Sequence, residues 1–148
     1  MIPETVEELL NWLSINCYAE NYAIGKIRIF EGYGLDFDND AYVGYYTERG
    51  QRQNFERFEK EEAAVAYAFG IIKADIYANR HMIGFVKTES ELQSLMKELD
   101  NRGITYINDV LFYSNQPPRD RFRVFAFGCD VRKVKDLEKR YAYRGIEP

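Results

Sequence analysis

Apolar positions recur at helical spacing in four stretches of the chain and alternate with polar ones in most of what lies between. Val6, Leu9, Leu10, Leu13 and Cys17 fall three or four residues apart, which predicts a helix with one buried face. Its start is marked by Pro3 and by Thr5 with Glu8 three residues on, the capping-box spacing. Ala23 to Phe30 alternates, with Ile27 and Ile29 on one side and Lys26, Arg28 and Phe30 on the other, and reads as a strand. Gly32 and Gly34 predict a bend before Leu35 to Phe37, and Asp38-Asn39-Asp40 supplies turn chemistry through side-chain bonds to the backbone. Ala41 to Glu48 is the next strand, and Arg49-Gly50 turns the chain into Gln51 to Phe58.

The longest helical stripe, Val65, Phe69, Ile72 and Ile76, lies within Glu59 to Ala78, with acids in the first turn where they favour the helix dipole. Met82 to Val86 is a short apolar run. Thr88 and Glu91 then cap a helix bearing Leu92, Leu95, Met96 and Leu99, which Gly103 stops. Ile104 to Tyr113 and Arg121 to Phe127 read as a strand pair, and Asp130 as the cap of a last helix carrying Val131, Val134, Leu137 and Tyr141. The order is α-β-β-β-β-α-β-α-β-β-α. It predicts an α+β fold, with an antiparallel or mixed sheet of about five to six strands and helices packed mainly on one face.

Composition narrows the class. A chain of 148 residues with 46% apolar and 30% charged side chains matches one ordinary globular domain, expected to span residues 1–148. No apolar run approaches the roughly 18 residues that cross a bilayer, and MIPETVEELL is acidic where a signal peptide is basic, so a cytoplasmic protein with no membrane partner is expected. Charge is unevenly spread: residues 1–74 hold 13 acids and 7 bases, residues 75–148 hold 11 and 13. Arg119 to Arg144 concentrates nine bases against four acids, while Phe30 to Glu48 has five acids, six aromatics and no Lys or Arg.

Motifs for chemistry are sparse. Asp36, Asp38 and Asp40 have the alternate spacing that opens a calcium loop, yet Ala41 stands where that loop needs glycine and Thr47 where it needs a bidentate glutamate. Cys17 and Cys129 have neither a CxxC nor a neighbouring His and read as core residues. The single histidine, His81, excludes a two-imidazole acid/base pair and is read as a helix-end residue. Gly32-Tyr33-Gly34 lacks the third glycine of a phosphate loop and lies among acids. No cofactor or metal is expected. Arg121 to Phe127 has the basic and aromatic character of a base-stacking strand but not its glycine, so a strand buried on both faces is the better reading.

What stands out is the acidic, tyrosine-rich segment. Tyr42 and Tyr46 share one side of a strand and Tyr45 the other, and tyrosines beside carboxylates suit a basic protein surface. The partner-binding residues expected are Asp36, Asp38, Asp40, Tyr42, Tyr46 and Glu48. The acidic turn Asp36-Phe37-Asp38-Asn39, the strand Ala41 to Glu48 and the passage from Phe55 through Glu59 to Ala63 resemble the immunity proteins of bacterial polymorphic-toxin and contact-dependent-inhibition systems. That resemblance implies a non-catalytic toxin inhibitor, whose acidic surface covers the basic active site of a cognate protein toxin. Two other readings remain: a small-ligand-binding protein or enzyme with a tyrosine/carboxylate pocket, and a nucleic-acid-binding module using residues 119–144, the less favoured of the two.

Overall fold

The computed structural model describes residues 2–18, 22–25, 29, 31–38, 40–111 and 121–142. It is an α+β fold with four α-helices and two sheets among the described residues, and the elements follow the expected order. Two compact units divide the chain, Met1–Asn79 and Arg80–Pro148.

In the first unit, α1 (Val6–Ile15) begins at Thr5, whose hydroxyl accepts the Glu8 N–H at 3.1 Å. Satisfying a free N–H in this way is what makes Thr a helix-starting residue. The sheet runs in the order β1 (Ala23–Ile24), β2 (Gly32–Asp38), β3 (Ala41–Glu48), β4 (Gln51–Phe58). β2, β3 and β4 form an antiparallel meander, and β1 joins β2 in parallel, so the sheet is mixed. Arg49 and Gly50 both have positive φ, 52° and 81°, the two-residue turn whose twist matches a hairpin. The helix α2 (Glu61–Ala74) packs its Ala64, Val65, Ala68 and Ile72 against Leu9, Tyr33 and Leu35 in one core.

In the second unit, β5 (Arg80–Val86), β6 (Tyr106–Leu111) and β7 (Arg121–Phe127) form an antiparallel sheet in the order β5-β7-β6. The helices α3 (Glu89–Asn101) and α4 (Lys135–Tyr141) complete a second core around Ile83, Leu95, Leu99, Val124 and Leu137. Thr88 caps α3 by accepting the Glu91 N–H at 3.1 Å, and Gly103 at φ 68° ends the turn that follows it.

Several expectations change. The one sheet of five to six strands is two sheets of four and three, because each half of the chain pairs its own strands and supplies its own covering helices. The strand expected over Ala23 to Phe30 is described only as Ala23–Ile24, and Lys26, Ile27, Arg28 and Phe30 lie outside the described residues. Gly32 and Gly34 do not bend the chain but run inside β2. His81 lies in β5 opposite Ala126, not at a helix end. Asp130 is inside a 3₁₀ helix, Gly128–Val134, that precedes α4, and so does not cap that helix. Cys17 is buried, Cys129 is half-buried, and neither is a free thiol. Among the described residues no helix is long and apolar enough to cross a membrane.

Candidate functional site

Register assigns every side chain of β2 and β3 to one face of the first sheet. Tyr33, Leu35 and Phe37 pair with Tyr46, Gly44 and Tyr42 and share the face that meets the helices. Gly34, Asp36 and Asp38 pair with Tyr45, Val43 and Ala41 on the opposite face. The six expected partner-binding residues are therefore not one surface. Tyr42, Tyr46 and Glu48 lie on the helix face, Asp36 and Asp38 on the other, and Asp40 in the turn between the strands, at φ 63°.

Their environments differ as well. Asp36 is half-buried and ion-paired with Arg52 at 3.3 Å, and its other oxygen accepts the Phe37 N–H at 2.8 Å. Tyr42 is half-buried in the first core, where burial and then the Glu61 carboxylate raise its phenol above the usual range. Asp38, Asp40, Tyr46 and Glu48 are exposed, and none of the three acids holds an ion pair among the described residues. The result is two separate ends. At one, exposed Phe37 packs on Tyr42 with ring centroids 5.1 Å apart beside Asp38 and Asp40. At the other, Tyr46 and Glu48 sit with Arg49, Gln51 and Arg52 around the hairpin tip.

A concavity of about 220 Å³ adjoins the first end, lined by Val6, Gly25, Leu35, Asp36, Phe37, Tyr42 and Glu61. Glu61 is committed here, because its Oε1 accepts the Val6 N–H at 2.9 Å and so satisfies the start of α1. A wider cleft of about 330 Å³, lined by Asp38, Val43, Asn54, Phe55, Glu56 and Arg57, runs along β4.

Sequence reasoning missed how two tyrosines fill the sheet. Tyr45 lies flat on Gly34, its cross-strand partner, so closely that a Cβ at position 34 would overlap its ring. Arg52 covers the other side of that ring, with its guanidinium carbon 4.0 Å from the centroid. Tyr33 mirrors this on the helix face, where it crosses β3 over Gly44. A Cβ at position 44 would be 2.9 Å from its hydroxyl and 3.7 Å from the Glu56 Cβ, so the phenol reaches from β2 to the β4 row. Tyr33 is 4% exposed and its hydroxyl has no hydrogen-bond partner among the described residues. Burial, and after it Tyr67 and Glu56, hold this phenol well above its ordinary pKa of 10. The glycines were the available signal, since Gly34 and Gly44 interrupt the two strands that carry Tyr33, Tyr42, Tyr45 and Tyr46.

The basic region of the second unit is largely matched by acids. Arg123 grips Asp109 through two bonds of 2.7 and 2.6 Å, Lys133 meets Asp130 at 3.0 Å, Lys135 meets Glu138 at 3.3 Å, and Arg140 meets Glu98 at 3.0 Å. Phe125 is buried on β7 beneath Arg80 and Arg123, 4.2 and 5.2 Å from its ring centroid. Among the described residues no group of three His, Cys, Asp or Glu side chains is placed to hold a metal ion. Comparisons with protein-family models, curated proteins and solved structures found no match.

Proposed function

We propose that this chain is a binding protein of the toxin-neutralising immunity type, which uses its acidic first unit to cover the basic active site of a cognate bacterial toxin. The observation that carries this reading is the Asp38 to Asp40 end of the β2–β3 hairpin. There Phe37, 59% exposed, stands on Tyr42 and is flanked by two exposed carboxylates without ion pairs among the described residues. An aromatic anchor desolvated at the centre of an interface supplies affinity, and unpaired acids around it speed encounter with a cationic surface. The contact set is accordingly narrower than the six residues expected from sequence. Asp36 is already paired with Arg52, and Tyr46 and Glu48 lie at the far end of β3.

The ion pairing of Arg123, Lys133, Lys135 and Arg140 favours this reading over nucleic-acid binding by residues 119–144, since a phosphate backbone is held by cations it can neutralise. Co-expression with bacterial toxin domains that carry a basic active site tests the reading. The intact chain restores colony formation, and Asp38→Lys combined with Asp40→Lys lowers that protection roughly a hundredfold or more, as reversal of two interface charges should. Loss of protection with the reversed pair supports the site, whereas full protection with it places the contact elsewhere. No protection by the intact chain against any of these toxins removes the reading.

A further inference from the structure

We propose that the Tyr33 hydroxyl and the Glu56 carboxylate, framed by the rings of Phe55, Phe58 and Tyr67, form a receptor for a lysine-type ammonium group of a partner protein. The proposal rests on the binding reading above and adds a second anchor, on the seam between β4 and α2.

Three observations converge there. A buried phenol without a partner forfeits a hydrogen bond it would have made in water, so Tyr33 keeps its hydroxyl at a cost to the folded chain. That hydroxyl ends beside the β4 row at Glu56, an exposed carboxylate with no ion pair among the described residues. Both arginines of β4 are directed away, because Arg52 and Arg57 pair with Thr47 and Val43 and project from the opposite face. The Tyr33 and Phe55 rings lie 5.9 Å apart, and those of Phe58 and Tyr67 5.2 Å apart. Phe55 and Tyr67 are 45% and 38% exposed while the hydroxyl itself is buried, so an ammonium reaches it only as those two rings give way. Ring faces attract a cation within about 6 Å of their centroids.

The opposite face of the same sheet shows what such a frame accepts. There a tyrosine on a glycine is covered by the Arg52 guanidinium, which also pairs with the Asp36 carboxylate. Tyr33, Gly44 and Glu56 repeat that grouping without a cation from their own strand. A phenol and a separate carboxylate suit the three independent donors of a compact ammonium. A planar guanidinium instead matches a carboxylate edge, as Arg102 matches Asp136 at 2.8 and 2.6 Å.

Titration of the full chain with N-acetyl-lysine amide, followed by NMR at the Tyr33 and Tyr67 rings and the Glu56 side chain, tests the site. A saturable shift at millimolar probe is expected, with N-acetyl-norleucine amide giving none and N-acetyl-arginine amide binding more weakly. Tyr33→Phe and the exposed Glu56→Gln each weaken the response roughly tenfold or more, the size of a lost charge-assisted bond. Tyr33→Phe also raises the thermal unfolding midpoint, since the unpaired hydroxyl is gone. No saturable shift, a response in either variant equal to that of the parent chain, or tighter binding of the arginine probe overturns the proposal. The outcomes separate from those of the co-expression test: lysine binding without protection retains the receptor and removes the toxin reading, and protection without lysine binding does the reverse.

Discussion

The two faces of the first sheet solve one packing problem with the same pair of residues and finish it differently. On each, a tyrosine from one strand covers a glycine of its neighbour: Tyr45 covers Gly34, and Tyr33 covers Gly44. Tyr45 is then closed off by Arg52, whose charge is in turn met by Asp36. Tyr33 meets the Phe55 ring and leaves its hydroxyl without a partner among the described residues. A buried aromatic that has its cation and carboxylate within the chain is a structural device. The same grouping with the carboxylate present and no cation among the described residues is what the proposed receptor consists of.

Adding a methyl group at each glycine breaks the two devices unequally, and this is the largest effect expected. A Cβ at position 34 would overlap the ring of Tyr45, which is 7% exposed and pinned by Arg52, so the ring and its stacked guanidinium must both move. At position 44 the nearest atom is the Tyr33 hydroxyl oxygen, at 2.9 Å, the far end of a side chain. Gly34→Ala should cost about 3 kcal/mol and Gly44→Ala about 1 kcal/mol, at the two ends of the usual overpacking range. Urea unfolding followed by fluorescence of Trp12, the chain's only tryptophan, gives the comparison within the first unit. Equal losses would mean that the faces are not distinguished by how tightly their tyrosines are held.

How much of this was legible in the sequence depended on whether the signal was local. The caps at Thr5 and Thr88, the strands Ala41–Glu48 and Gln51–Phe58, and the Arg49-Gly50 turn are set by neighbouring residues and stood where their patterns placed them. Gly34 failed as a bend signal because its role is set by Tyr45, eleven positions away, and a gap that only a neighbouring ring can fill looks like a hinge when read alone. The partition into two sheets was hidden for a related reason. Alternation identifies a strand but says nothing about which strand it will join. Of the expected contact residues, exposure of Asp38, Asp40 and Glu48 followed from their charge. The capture of Asp36 by Arg52 depended on register and was not visible.

Alkaline titration sharpens the contrast between the two phenols. Burial raises both above the ordinary value of 10. For Tyr33 the neighbours Tyr67 and Glu56 add to that effect, while for Tyr45 the Arg52 charge opposes it and Asp36 adds to it. A tyrosine whose folded pKa is raised contributes stability that is whole below the unfolded value of 10 and is lost as pH rises through the folded one, because only the unfolded chain ionises in that window. Each such group should remove up to about 1.4 kcal/mol per pH unit in that range. Tyr33→Phe should therefore flatten the fall in stability between about pH 9 and pH 11 more than Tyr45→Phe does. Unfolding midpoints at the two pH values measure both, and a larger effect at Tyr45 would reverse the assignment of which face is closed by a cation.

Removing that cation is the smallest change and the most informative about what the difference means. Arg52 is about one-third exposed, its pair with Asp36 is 3.3 Å long, and its stacking on Tyr45 is 4.0 Å from the centroid, so Arg52→Gln should cost only about 1 kcal/mol. A double-mutant cycle with Asp36→Asn divides that loss. The ion-pair part should be about 0.5 kcal/mol and shrink as salt rises, while the stacking part persists because the ring is buried. If the two faces differ only in the source of their cation, Arg52→Gln also exposes Tyr45 and Asp36 to an external one. N-acetyl-lysine amide should then shift the Tyr45 ring in the variant and not in the parent chain, with the Tyr33 response unchanged. A variant that destabilises as expected yet gains no lysine response at Tyr45 would show that a tyrosine, a glycine and a carboxylate are not enough to hold an ammonium, and that the rings around Tyr33 supply the rest.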